Sequence, residues 1–281
     1  MESVTIAALI LRFGAPLVLF GSLLFWRLVP AEPPDPAGRL WLRRAAFISA
    51  LATAIGAAVF LMATAGAGAA LETSSKPLIA MIARTRLGEV TQAQFALLLI
   101  ILWFAWRGGG GGQGLSAASA TLVASLALVG HPSARGGPLL EVNQAIHLLA
   151  AASWVGGLPA LAGRLVMQRS DPAASLRCLR RFSDYAWMAV VAVVITGAIN
   201  AAVIANPLGE IATVPYGNAL FAKLALVAAM IAIACANRFF LLPQSAKGLG
   251  RLRLLTIVEL GLGVAVVAIA CFLGTQSPPG E

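Results

Sequence analysis

Charge is scarce in this sequence. Asp, Glu, Lys and Arg make up 11% of its 281 residues, against 59% hydrophobic residues and a mean hydropathy of +0.88. Soluble domains carry about 25% charged residues, so the shortage excludes an ordinary water-soluble chain and points to lipid as the solvent. Acidic residues are the scarcest of the charged types, 11 against 20 Lys and Arg, for a net charge of +9. A basic chain that reads nucleic acid groups its cations in a patch with polar or aromatic readers. Here the arginines fall between apolar runs, as membrane-flanking charges do, and no nucleic-acid partner is expected. The three cysteines (Cys178, Cys235 and Cys271) have no C-x-x-C spacing and form no disulfide framework. There is no Ser/His/Asp arrangement, no carboxylate dyad and no nucleotide motif, so the chain is not expected to be an enzyme. The glycine run at 108–112 lacks the Lys-Ser/Thr and the preceding strand of a phosphate loop. It reads as a flexible hinge.

What the sequence does have is long apolar runs. A hydrocarbon core of about 30 Å needs roughly 20 apolar residues per helix. Eight segments approach that length: 4–29, 43–66, 90–106, 115–131, 141–166, 182–206, 216–240 and 251–274. The fourth is the shortest. The first has no basic n-region and no A-x-A cleavage site, and reads as an uncleaved span rather than a signal peptide. Between the second and third, SSKPLIAMIARTRLGEV is too polar to span and predicts a short interfacial helix. The expected fold is all-α, a single polytopic membrane domain.

Loop cations orient the spans. Fourteen flank one side: Arg27, Arg39, Arg43, Arg44, Arg107, Arg164, Arg169, Arg177, Arg180, Arg181, Arg238, Lys247, Arg251 and Arg253. Only Lys76, Arg84, Arg86 and Arg135 flank the other. Both termini are therefore expected outside, which for a bacterial inner membrane means the periplasm.

The two halves echo each other. RFGAPLVLFG (12–21) matches HLLAAASWVG (147–156), and Arg43-Arg44 matches Arg180-Arg181. TRLGEVTQAQ (85–94) aligns with VPYGNALFAK (214–223), and LVGHPS (128–133) with FLGTQS (272–277). All four matches occur in the same order. Four spans per unit preserve orientation, so the repeat is parallel, with residues 1–131 forming the first unit and 141–281 the second.

Only two histidines occur, in GHPSARGG (His131) and HLLAAASWVGGLPAL (His147). His131 is expected at the outer end of span four. His147 is expected about 9 Å deeper in span five, at 1.5 Å per residue from Glu141. Imidazole is the commonest protein metal ligand and suits Cu, Zn and Fe, so two imidazoles near one surface make a candidate metal site. The alternative for His147 is a hydrogen bond to a neighbouring helix. Trp154 lies seven residues on, along the same stripe. Met62, Met81 and Cys271, all expected near the outer side, are possible further ligands, since thioether and thiolate select Cu(I). Glu72 and Glu141 read as solvated outer-loop carboxylates. Inside the spans, Asn200, Lys223 and Glu259 form either a polar row for an ion or proton, or inter-helix hydrogen bonds.

The sequence resembles the bacterial copper resistance protein D family. The resemblance rests on GHPSARGG and HLLAAASWVGGLPAL, with RRFSDYA (180–186), TGAINA (196–201), PYGNALFAKLAL (215–226), NRFFLLP (237–243) and the VEL around Glu259. It is close in the second half; the first half shares only the span layout, and has Gln94 where members often carry a basic residue. The resemblance implies an eight-span inner-membrane protein that takes up copper, with His131 and His147 as the metal-associated positions. It also implies a periplasmic copper-binding partner. Two other readings stay open on the residues: a haem b held by both histidines in an electron-transfer protein, and a copper chaperone or assembly factor for a respiratory oxidase.

Overall fold

The structure, a computed structural model, describes residues 2–30, 36–68, 76–107, 112–167, 171–204, 215–242 and 248–279. Every regular element among them is helical. The glycine run at 108–112, except Gly112, and Glu72 lie outside the described residues.

Among the described residues ten α-helices follow one another: α1 (Glu2–Leu28), α2 (Pro36–Gly68), α3 (Lys76–Arg84), α4 (Arg86–Trp106) and α5 (Gln113–Ser125), then α6 (His131–Trp154), α7 (Leu158–Met167), α8 (Pro172–Ile204), α9 (Pro215–Cys235) and α10 (Leu249–Leu273). A 3-10 turn at Leu126–Leu128 extends α5, one at Val155–Gly157 joins α6 to α7, and a π-turn at Ala236–Leu241 extends α9. Among the described residues seven stretches are long and apolar enough to cross a membrane, and Gln113–Leu128 is a further, shorter apolar helix. At about 24 Å it falls short of the hydrocarbon thickness, in keeping with its place as the shortest expected span. It nevertheless runs antiparallel to α4. A Cβ on Gly114 would meet the Phe104 ring, while at the other end the Gln94 side chain donates to Ser125 Oγ at 3.1 Å. The expected interfacial helix is α3, with Thr85 capping α4 by accepting from the Gly88 N–H.

The first helix is the hub, packing on α2, α5, α6, α7 and α10. Leu19, Leu23 and Phe25 on it are almost wholly buried. Its closest approach is made through glycine. A Cβ on Gly21 would sit 2.1 Å from the Ala152 carbonyl oxygen, and one on Gly156 would sit 2.0 Å from that of Leu17. Small residues allow such backbone contact where no hydrophobic effect drives helices together. The same contact fixes the 3-10 turn between α6 and α7.

One end of the bundle gathers arginines: Arg181 donates to the Val29 carbonyl at 3.2 Å, Arg164 lies over the Trp26 ring, and Arg238 pairs with Asp184 at 3.0 Å. At the opposite end, Arg86 pairs with Glu141, and Arg135 donates to the Ile204 and Pro279 carbonyls. Glu141 is therefore not a solvated loop carboxylate. It lies inside α6, 8% exposed, bonded by Arg86 and by the Ser133 hydroxyl at 2.9 Å.

His131 also differs from expectation. It does not end the fourth apolar helix but opens α6. Gly130 at φ +95° turns the chain, and Pro132 starts the next helix, where its missing N–H costs nothing. A second positive φ, +58° at Gly137, breaks α6 before Pro138, so His131 and His147 sit on either side of a bend.

Two measurements check this architecture. Alkaline phosphatase fused after Glu281 should be active and one fused at Gly110 inactive; activity at Gly110 would reverse the orientation. Gly21→Ala should lower stability by about 1–3 kcal/mol through overpacking, read as a drop in thermal midpoint in detergent.

Candidate metal and ligand cavity

A cavity of about 640 Å³ opens among the helices at the end opposite the arginine cluster. Its rim includes Gly130–Ala134, Tyr216 and Gly274, and it reaches down to Ala151. His131 and His147 both line it, as do Arg12, Asn200, Lys223 and Cys271. The first histidine sits edge-on to Tyr216, with ring centroids 6.2 Å apart, and its Nε2 is buried without a hydrogen-bond partner.

The orientation of His147 is set by α8. Its Nδ1 lies 3.0 Å from Thr196 Oγ1. That hydroxyl donates its own proton to the Ala192 carbonyl, so it accepts from Nδ1–H. The lone pair of the imidazole is then on Nε2, the tautomer a metal ligand needs. Gly197 makes room for the ring, since a Cβ there would meet His147 Cε1 at 3.3 Å. One helical turn outward, Asn143 donates to Asn200 Oδ1 at 2.9 Å, and Asn200 donates to Gln144 Oε1 at 2.6 Å. Asn200 thus bridges α6 and α8 on the cavity wall.

The first half contributes a different set of groups. Arg12 is 1% exposed. Its Nη2 donates to Thr91 Oγ1 at 3.1 Å and to Gln94 Oε1 at 3.0 Å, and its guanidinium lies 5.4 Å from the Phe60 ring centre. Those partners come from α2 and α4, so one charge ties three helices together. Cys271 on α10 is a buried free thiol. No group of three or more His, Cys, Asp or Glu able to hold one metal occurs among the described residues.

Other candidate residues lie elsewhere. Met62 is 55% exposed on α2 and Met81 is part-exposed on α3; neither lines the cavity. Trp154 and Glu259 face a separate cavity of about 50 Å³ nearer the arginine end. There Asn237 donates to Glu259 Oε2 at 3.1 Å. Among the described residues none lines both cavities, and Asn200 and Glu259 lie on different ones. Between them, Val155 packs against Gly263 beside Met230. Thr196, Asn143 and Gln144 were not singled out from sequence. Their signal was there, since Thr196, Gly197 and Asn200 share one face of α8.

A family profile described as copper resistance protein D-like, N-terminal domain, matches residues 1–142, half of the chain, and one described as copper resistance protein D matches residues 176–273. The chain belongs to the copper resistance protein D family. Among relatives of this family member is the inner membrane protein YebZ of Escherichia coli (strain K12), 33% identical over 54% of this chain and 55% of the relative. Another is copper resistance protein D of Pseudomonas syringae pv. tomato, 31% identical over 48% of each chain. A third is the copper transport protein CutJ of Bacillus subtilis (strain 168), 32% identical over 48% of this chain and 25% of the relative. The chain spans about half the length of the first two. No solved structure matches.

In this copper resistance protein D family member, Gln94→Leu should remove one charge-assisted hydrogen bond from Arg12. The expected cost is about 1.5–3 kcal/mol, read as a lower thermal midpoint. An unchanged midpoint would mean that Arg12 is hydrated rather than held by α4.

Proposed function

We propose that the chain carries copper inward across the bacterial inner membrane, with the ion bound on the way by His131 and His147. The observation that carries this reading is that the only two histidines of a copper-family chain line one cavity, at the end opposite its arginine-rich end. Under the positive-inside rule that end is periplasmic, so the cavity takes copper from the periplasm, where a copper-binding protein delivers it. His147 supplies Nε2, since its Nδ1 donates to Thr196. His131 supplies its unpartnered Nε2. Cu(I) tolerates low coordination numbers, and Cys271 lies on the same wall as a soft additional donor.

The packed layer of Val155, Gly263 and Met230 closes the cavity below the histidines. Onward movement requires that layer to separate, and Glu259 with Asn237 is the next polar group on the inner side. We also read the chain as the two parallel units expected from its internal matches. The cavity wall draws Arg12 and Phe60 from the first unit and His147 and Lys223 from the second, which supports a site between them.

Copper titration of purified protein tests the pair. His131→Ala and His147→Ala should each abolish tight binding, and the double variant should be no worse than either, since groups acting as a unit are non-additive. Stoichiometric tight copper in His131→Ala would overturn the shared site. Thr196→Val keeps the shape but frees the ring, and should weaken copper by about 10–100-fold.

A further inference from the structure

The large cavity carries positive charge that a cation alone would not compensate. Arg12, Arg86 and Lys223 line it, and among the described residues no aspartate or glutamate does. Arg86 is neutralised by Glu141. Neither Arg12 nor Lys223 has an ion-pair partner among the described residues. The guanidinium stays charged at any physiological pH. Among the described residues its hydrogen bonds are to the neutral oxygens of Thr91 and Gln94, and its buried Nε–H has no acceptor there. A charge taken out of water and left without a counter-charge is costly. Two such groups lining one cavity also repel any metal cation that enters.

We propose that this cavity is an anion-binding site, in which a small oxyanion, a carboxylate or a phosphate, is drawn in by Arg12 and Lys223 and offsets their charge. The planar guanidinium fork matches such oxyanions, and Arg12 lines the cavity that would hold one. Lys223, a point charge on a flexible stem, adds the second charge from α9. Asn200 and Gln144 offer neutral polar groups on the same wall. The site stands on these charges and does not rest on the copper reading. Where both hold, the anion offsets the repulsion between copper and the two fixed cations. Copper then enters and leaves with an accompanying oxyanion.

Equilibrium dialysis of delipidated protein in neutral detergent, washed free of phosphate and carboxylate buffers, tests this with [14C]acetate and [32P]phosphate as probes. A parallel arm uses phosphatidylglycerol in mixed micelles. Saturable binding of acetate or phosphate is expected in the wild type, and Arg12→Gln and Lys223→Gln should each weaken it by about tenfold or more. Met62→Ala, on α2 and outside the cavity, should leave it within about twofold. Binding of phosphatidylglycerol alone, lost in Lys223→Gln, would assign the oxyanion to a lipid headgroup. No saturable binding of any probe to the wild type overturns the proposal, as does undiminished binding in Lys223→Gln. If Arg12→Gln fails to fold, Arg12→Lys and Lys223→Gln carry the test. Copper titration of the same preparations reports separately on the histidines, so failure of one claim is distinguishable from failure of the other.

Discussion

A guanidinium that keeps its charge cannot face hydrocarbon, and Arg12 lies about 15 Å along α1. Much of the architecture follows from that. Its helix must be interior, and α1 is the hub of the bundle. Its neighbours must offer oxygen, and α4 brings Thr91 and Gln94 to the guanidinium. Gln94 in turn is held by Ser125 on the short fifth helix, which gives that helix a fixed partner despite its length. The remaining face of Arg12 opens on the cavity. A polar wall within a lipid-solvated bundle is tolerated where it lines such a space.

The second constraint is close packing below the cavity. Gly21 on α1 meets the break at Val155–Gly157, and Gly263 lets α10 meet Val155. Backbone contacts of this kind leave no room for a side chain, so the half of the bundle nearer the arginine end is filled where the opposite half is open. The small cavity with Glu259 and Asn237 is left on the other side of this layer. Copper transport through the chain would have to move these contacts. The break in α6–α7, the bend at Gly137 and the π-turn after α9 are positions where helices are already interrupted.

Much of this was legible in the sequence, because hydropathy reports directly on what lipid requires. The apolar segments and the interfacial helix correspond to elements of the fold, and the arginine-rich flanks gather at one end. Local backbone chemistry was harder to read. His131 was expected at the close of one helix and instead opens the next, because Gly130 takes a positive φ that a hydropathy window does not register. Glu141 was misread because its partner Arg86 is 55 residues away. Trp154 shares a helical stripe with His147, but seven residues separate them by about 10 Å of depth, which puts the indole on the other cavity. The buried hydrogen bond from His147 to Thr196 depends on how α6 packs against α8. No spacing within one helix specifies that packing.

The central claim is that copper, when bound, is held by imidazole in the large cavity. X-ray absorption at the copper K-edge on wild-type protein loaded with one equivalent of Cu(I) tests it most directly. The account predicts a first shell dominated by nitrogen, with outer-shell multiple scattering from two imidazole rings and at most one sulfur, from Cys271. A first shell of sulfur alone, with no imidazole scattering, would contradict it.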